Sequence, residues 1–179
     1  MKLGVILIFL TFFLIFSFLV TLFLYSLILS YLKGSPFSRT KKERIKTILE
    51  VCKINSKKIL DLGSGDGILI RELAKKGAKA TGIEINPLLF LYSKLKIYQE
   101  GISSNCKVVF GNFYNYPLKD TDIVLVYLLP ETIEKLKPKL LKELKAGAMV
   151  ISNGFPISGW KPKIKKNNVF FYEIEKEAT

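Results

Sequence analysis

The 179-residue chain has no histidine, two cysteines and one tryptophan, and no residue from Leu3 to Leu32 carries a charge. Each shortage excludes something. Without histidine there is no Ser-His-Asp or Cys-His relay and no imidazole base, and zinc sites assembled from cysteine and histidine are ruled out. No metal is expected. Cys52 and Cys106 lie far apart among apolar neighbours, so they read as core residues rather than a reactive pair. The uncharged run is the most informative gap. A helix needs roughly 20 apolar residues to cross a bilayer, and this run of 30 is long enough to cross with tilt or a projecting end. It is too long for the apolar region of a secretory leader, and no small-x-small cleavage site follows it. Residues 1–33 are therefore read as one transmembrane anchor.

The charges flanking the run set its direction. Lys2 stands alone before it, whereas Lys33, Arg39, Lys41, Lys42, Arg44 and Lys46 follow. The bias of lysine and arginine toward the inner leaflet places the N-terminus outside and the rest of the chain in the cytoplasm, on a single-pass protein of the cell membrane. All but Lys2 of the net charge of +13 falls on residues 33–179. Anionic lipid headgroups, nucleic acid, or a plainly solvated lysine-rich surface could each account for it. No RNP-like or zinc-knuckle pattern supports nucleic acid, which is disfavoured as a partner.

Behind the run, KGSPFSR (33–39) reads as a linker, because Gly34, Ser35 and Pro36 break a helix. Thr40 and Glu43 form a capping-box pattern opening a helix whose Ile45, Ile48, Leu49 and Cys52 share one face. Residues 34–53 are thus linker and amphipathic helix, and residues 54–179 a single domain. In that domain strands and helices alternate: strand 58–62, helix 68–76, strand 78–85, helix from Asn86 and Pro87 to about 99, strand 107–110, strand 122–128, helix 131–145 and strand 148–152. Residues 168–174 read as a further strand, antiparallel at the edge. Pro138 should kink or split the helix around it. Repeated strand-helix units imply right-handed crossovers and a Rossmann-like, doubly wound, mainly parallel α/β sheet.

The sharpest motif is KKILDLGSGDG, Lys57 to Gly67. Glycines after a strand let the backbone turn tightly and approach a ligand, with a helix N-terminus aimed at it. A dinucleotide fingerprint would place a third glycine where Ile68 stands. The pattern is instead D-x-G-x-G-x-G, and it resembles the first motif of class I S-adenosylmethionine-dependent methyltransferases. That resemblance implies a cofactor site at Asp61, Gly63, Ser64, Gly65, Asp66 and Gly67. Glu84, 21 residues after Gly63 at the end of the second strand, is placed to accept hydrogen bonds from both ribose hydroxyls. Asn112 and Phe113, after the third strand, match the family position where an amide meets the adenine amine and an apolar side chain packs on the ring.

The resemblance narrows further. GSPFSRTKKERIKTIL, KILDLGSGDG, GIEINPLLFLYSK, DIVLVYLLPETIEKLKPKLLKEL and GAMVISNGFPISGWKP, in this order, are similar to the membrane-anchored lysine methyltransferases whose mitochondrial members modify the c-subunit of ATP synthase and the adenine nucleotide translocase. Specificity comes from E-x-N-P at Glu84 to Pro87 and from F-P-x-x-x-W at Phe155, Pro156 and Trp160. The likeness implies methylation of a lysine on a membrane-embedded protein. The segment 35–40 departs from the family's proline-rich form, with Arg39 in place of the second proline. The amino-methyltransferase motif [DN]-P-P-[FY] is missing too, since Tyr127 to Pro130 reads YLLP; this lowers nucleic-acid bases and glutamine as acceptors.

An in-line methyl transfer mainly requires that a neutral amine be held about 3 to 3.5 Å from the methyl and that water be excluded. Acceptors in this fold approach past the ends of the fourth and fifth strands, which brings Tyr127, Leu129, Pro130, Glu131, Phe155 and Trp160 into view. Tyr127 can steer the amine or simply pack, and Glu131 can hold an ammonium or simply face a helix dipole. Two other readings stay open: a methyltransferase for a lipophilic small molecule such as a lipid or quinone, and a non-catalytic, membrane-tethered protein that binds the cofactor.

Overall fold

The computed structural model describes residues 2–33 and 38–176. Residues 34–37, the middle of the expected linker, lie outside the described residues. Helix α1 (Lys2–Lys33) is uninterrupted, and its apolar side chains are exposed along most of its length. The Thr11 and Thr21 hydroxyls donate to the carbonyls of Leu7 and Ser17 one turn back. These hydroxyls therefore need no outside partner. The stretch Leu3–Ser26 is long and apolar enough to cross a membrane.

Helix α2 (Lys42–Val51) buries Ile45 and Ile48, with Cys52 just beyond it and Leu49 packed alongside, as their spacing predicts. Its start differs from expectation. Lys41 is the N-cap, with no side-chain capping bond, and the Thr40 hydroxyl instead accepts from Asn153 Nδ2 at 3.4 Å. A tertiary contact has displaced the local capping box.

Seven strands follow in chain order: β1 (Lys58–Leu62), β2 (Lys79–Glu84), β3 (Cys106–Phe110), β4 (Ile123–Val126), β5 (Met149–Asn153), β6 (Ile164–Lys166) and β7 (Val169–Glu173). Between them lie α3 (Ile68–Ala74), α4 (Pro87–Gln99), a 3₁₀ turn at Phe113–Asn115, and α5 (Pro130–Glu143). The sheet order is β3-β2-β1-β4-β5-β7-β6. Strands β1 to β5 are parallel, whereas β7 runs antiparallel to β5 and β6 antiparallel to β7. The strand at 168–174 is antiparallel as expected but interior, because the short β6, which its exposed residues hide from any alternating pattern, takes the edge.

Alternation along each strand sorts residues between two faces. Ile59, Ile123, Leu125, Ile151 and Phe171 meet α2 and α3, while Leu60, Leu62, Val124, Val126 and Val150 meet α5 through Ile133, Leu136 and Leu140. Both faces are covered, as a parallel sheet requires. Pro138 does not break α5. It is exposed, and Leu136 and Leu140 pin the helix on its buried side, so the one carbonyl left without its donor can be hydrated. Chain order reverses direction at β1, which lies between β2 and β4; the crevice at the carboxyl ends of these strands is where open α/β sheets bind ligands.

Candidate active site

Strand β1 delivers its carboxyl end into the glycine loop. Gly63 N and Ser64 N both donate to the Ile83 carbonyl of β2, at 2.9 and 3.0 Å, so the loop folds over the neighbouring strand. Gly63, Gly65 and Gly67 all have positive φ, and a Cβ at Gly67 would collide with the Ser93 hydroxyl of α4. Side chains are costly in this backbone conformation, which explains the spacing of the three glycines. Gly63 is exposed, leaving loop backbone open to a ligand.

Three carboxylates converge here. Glu84 is 6% exposed; one oxygen accepts from Gly65 N and the other from Asn86 N, each at 2.7 Å. A carboxylate has about four acceptor positions; these two bonds fix its orientation, Ile85 N also acts on it, and capacity is left for a further donor such as a ribose hydroxyl. Burial raises its pKa, against the lowering effect of its backbone donors. Asp61 is buried next to it, and desolvation, then the charges of Glu84 and Asp66, push its carboxyl up to about 7. Asp66 accepts from Ile68 N at 3.1 Å, helping to start α3, and pairs with Arg39 at 3.1 Å. S-adenosylmethionine carries an ammonium and a sulfonium, so a loop crowded with carboxylates and open at Gly63 fits its charge and shape.

Strand β3 ends beside Glu84, where Gly111 N donates to the Glu84 carbonyl. Asn112 stands at this rim, with its side-chain oxygen accepting from Tyr114 N at 3.0 Å, which leaves one lone pair for an incoming amine. Phe113 is different. Its ring is 4% exposed within the core, 4.6 Å from the Tyr114 ring, so the stacking role read from the sequence has almost no free ring face to use.

On the acceptor side, Tyr127 follows β4, and Leu129, Pro130 and Glu131 open α5, all three exposed; Phe155 follows β5 and is also exposed. The sheet brings these together at its carboxyl edge. It does not bring Trp160 there. Ile157 N donates to Tyr172 Oη at 2.9 Å and Lys137 Nζ to the Ser158 carbonyl at 2.7 Å, turning the chain back along the sheet. Trp160 therefore meets Tyr172 edge-on at 5.7 Å and lines a hollow with Leu141 and Ile174, at the opposite end of α5 from Pro130.

Four residues at this edge escaped sequence reasoning: Ser38, Arg39, Arg44 and Asn153. Ser38 Oγ donates to Tyr127 Oη at 3.2 Å. Arg44 Nη1 donates to Asn153 Oδ1 at 2.9 Å, and its guanidinium sits 5.6 Å from the centre of the Tyr127 ring. The Ser38 bond and the Arg44 charge lower the Tyr127 pKa. Together with Arg39 on Asp66, these contacts draw residues 38–44 across both the cofactor loop and the Tyr127 edge. Sequence offers one signal for them, the polar pair Ser152 and Asn153 ending a strand that starts apolar.

A family described as the ANTKMT methyltransferase domain matches residues 61–164. A protein-lysine N-methyltransferase of Saccharolobus islandicus is 37% identical over 138 residues, covering 75% of this chain and 86% of that protein. The human lysine N-methyltransferase of the ATP synthase C-subunit is 30% identical over 127 residues, 71% of this chain; the match spans 54% of the human protein. Among solved structures, an RNA methyltransferase from Salinibacter ruber in complex with S-adenosyl-L-homocysteine superposes with a TM-score of 0.74 at 27% identity, covering 79% of this chain and 97% of that one. With its glycine loop and strand order in place, the chain belongs to the ANTKMT methyltransferase domain family and has the class I methyltransferase fold.

Proposed function

We propose that this protein transfers a methyl group from S-adenosylmethionine to a lysine of a membrane-associated protein, working at the cytosolic face from a single N-terminal anchor. The observation that carries the reading is the joining of the Glu84 and glycine-loop pocket to an open acceptor edge at Tyr127, behind an apolar helix. S-adenosylmethionine supplies a methyl on a positively charged sulfur, open to in-line displacement. The chain's part is to orient and desolvate. Asp61, Gly63, Ser64, Gly65, Asp66, Gly67, Glu84 and Asn112 hold the cofactor, with Phe113 supporting the rim from the core. Leu129, Pro130 and Phe155 give an exposed apolar approach that favours the neutral form of a lysine whose free pKa is about 10.4. Tyr127 presents ring and hydroxyl to steer the amine, and Glu131 offers a waiting point for the ammonium.

Membrane extract from cells lacking the gene, incubated with the purified full-length chain and methyl-labelled cofactor, tests this. The expected result is a labelled protein that yields methyl-lysine on hydrolysis. Label confined to lipid would move the assignment to a lipophilic small molecule. Label confined to RNA would favour the reading suggested by the net charge of +13 and by the Salinibacter neighbour.

A further inference from the structure

Helix α4 buries one side and exposes an apolar stripe on the other. Inward, Ile97 and Ser93 are buried. Outward, Leu91 is 57%, Tyr92 43%, Leu95 53% and Tyr98 78% exposed. At 3.6 residues per turn Leu91, Leu95 and Tyr98 fall within an arc of about 60°, with Tyr92 widening one side. Lys94 and Lys96 border the stripe on its two flanks, their ammonium groups 5.9 Å from the Phe90 ring and 5.7 Å from the Tyr92 ring. Phe110, 52% exposed at the end of β3, lies 5.5 Å from Phe90, on the other side of Lys94 from the stripe. Leucines and tyrosines edged by lysines suit the headgroup layer of a bilayer, where rings and aliphatic stems sink and charged heads stay wet.

The position of α4 points the same way. Ser26, six residues before the uncharged run closes at Leu32, is buried against α4, its hydroxyl donating to Asn86 Oδ1 at 2.6 Å. Asn86 is the N-cap of α4, accepting from Leu88 N and Leu89 N. Helix α4 therefore starts beside the last two turns of the uncharged run, and Leu91 lies only about 6 Å further along its axis. We propose that the outward face of α4 docks into the headgroup layer of an anionic bilayer, so that the domain rests on the membrane on this face. The proposal rests on the anchored reading above.

The full-length chain in vesicles containing phosphatidylserine, with an environment-sensitive fluorophore on one introduced cysteine, tests both readings separately. The native Cys52 and Cys106 are buried, and Tyr98 is exposed enough for Tyr98→Cys to spare the fold. Phe12→Cys reports on the span and Lys135→Cys on the far side of the sheet. The expected result is blue-shifted emission, quenched by brominated lipid, at positions 12 and 98 but not at 135. Quenching at 12 with water-like emission at 98 overturns the docking face and leaves the anchor; water-like emission at both overturns both. A blue shift at 98 that appears only at high protein-to-lipid ratio means a second copy covers the face, and one that requires added membrane proteins means a protein partner does. Either outcome also overturns lipid docking.

Discussion

Three carboxylates crowd one loop in this protein, and the protonation of Asp61 is the clearest lever at the scale of single residues. Asp61 rises to about 7 because it is buried and faces Glu84 and Asp66. For an acid with a raised folded pKa, the folded state holds a proton that the unfolded chain has already released. Folding stability therefore falls as pH climbs from the unfolded value near 3.9 to about 7, and is flat beyond. A cationic ligand favours the ionised form, so S-adenosylmethionine should bind with release of a proton near pH 7, and more tightly at pH 8 than at pH 6. Calorimetry in buffers of different ionisation enthalpy measures that proton directly; affinity independent of pH would sever the link to Asp61. Glu84 carries a different load, since Gly65 N and Asn86 N both depend on it. Hydrogen bonds to a charged group contribute about 1.5–3 kcal/mol. Glu84→Ala should therefore weaken cofactor binding roughly tenfold to a hundredfold, and an affinity equal to the parent's would remove Glu84 from the ribose site.

Among the elements, α5 shows how strongly packing overrides local signals. Leu136 is fully buried between the helix and the sheet, whereas its neighbour Lys135 is exposed. Leu136→Ala should cost about 2–5 kcal/mol in denaturant unfolding, while Lys135→Ala should change it by less than about 0.5 kcal/mol. Equal effects would mean that α5 is not pinned through this face. The same packing holds the helix continuous through Pro138, against the kink its sequence suggests. At α2 a contact distant in sequence, Asn153 to Thr40, replaces the capping box. Strands β1 to β5 were legible because apolar runs bounded by Gly, Asn and Pro leave little choice. The hairpin of β6 and β7 was half legible, as β6 has three exposed residues and no face to pattern.

For the whole molecule, the parts of the site written into contiguous sequence were the ones readable from it. DLGSGDG encodes its own turn through three left-handed glycines, and Glu84 follows at the distance one strand-helix-strand unit imposes. The acceptor side is assembled from three separate segments, 38–44, 127–131 and 153–155, and Ser38 reaches Tyr127 and Arg44 reaches Asn153 only once the chain has closed. Trp160 shows the converse: it belongs to a recognisable motif, yet the loop after Phe155 carries it away to Tyr172. The hydrogen bond from Ser26 to Asn86 adds a constraint of another kind. Asn86 also donates its backbone amide to Glu84, two residues away and at most about 7 Å along the chain. On the anchored reading, one asparagine ties the apolar helix at Ser26 to the carboxylate proposed to hold the ribose, so the glycine loop sits at a set depth relative to the bilayer. A lysine on a tall extramembrane domain would pass overhead. One on a short loop would come level, and on that reading the protein would act as a depth gauge, selecting targets by how far their lysines stand from the bilayer.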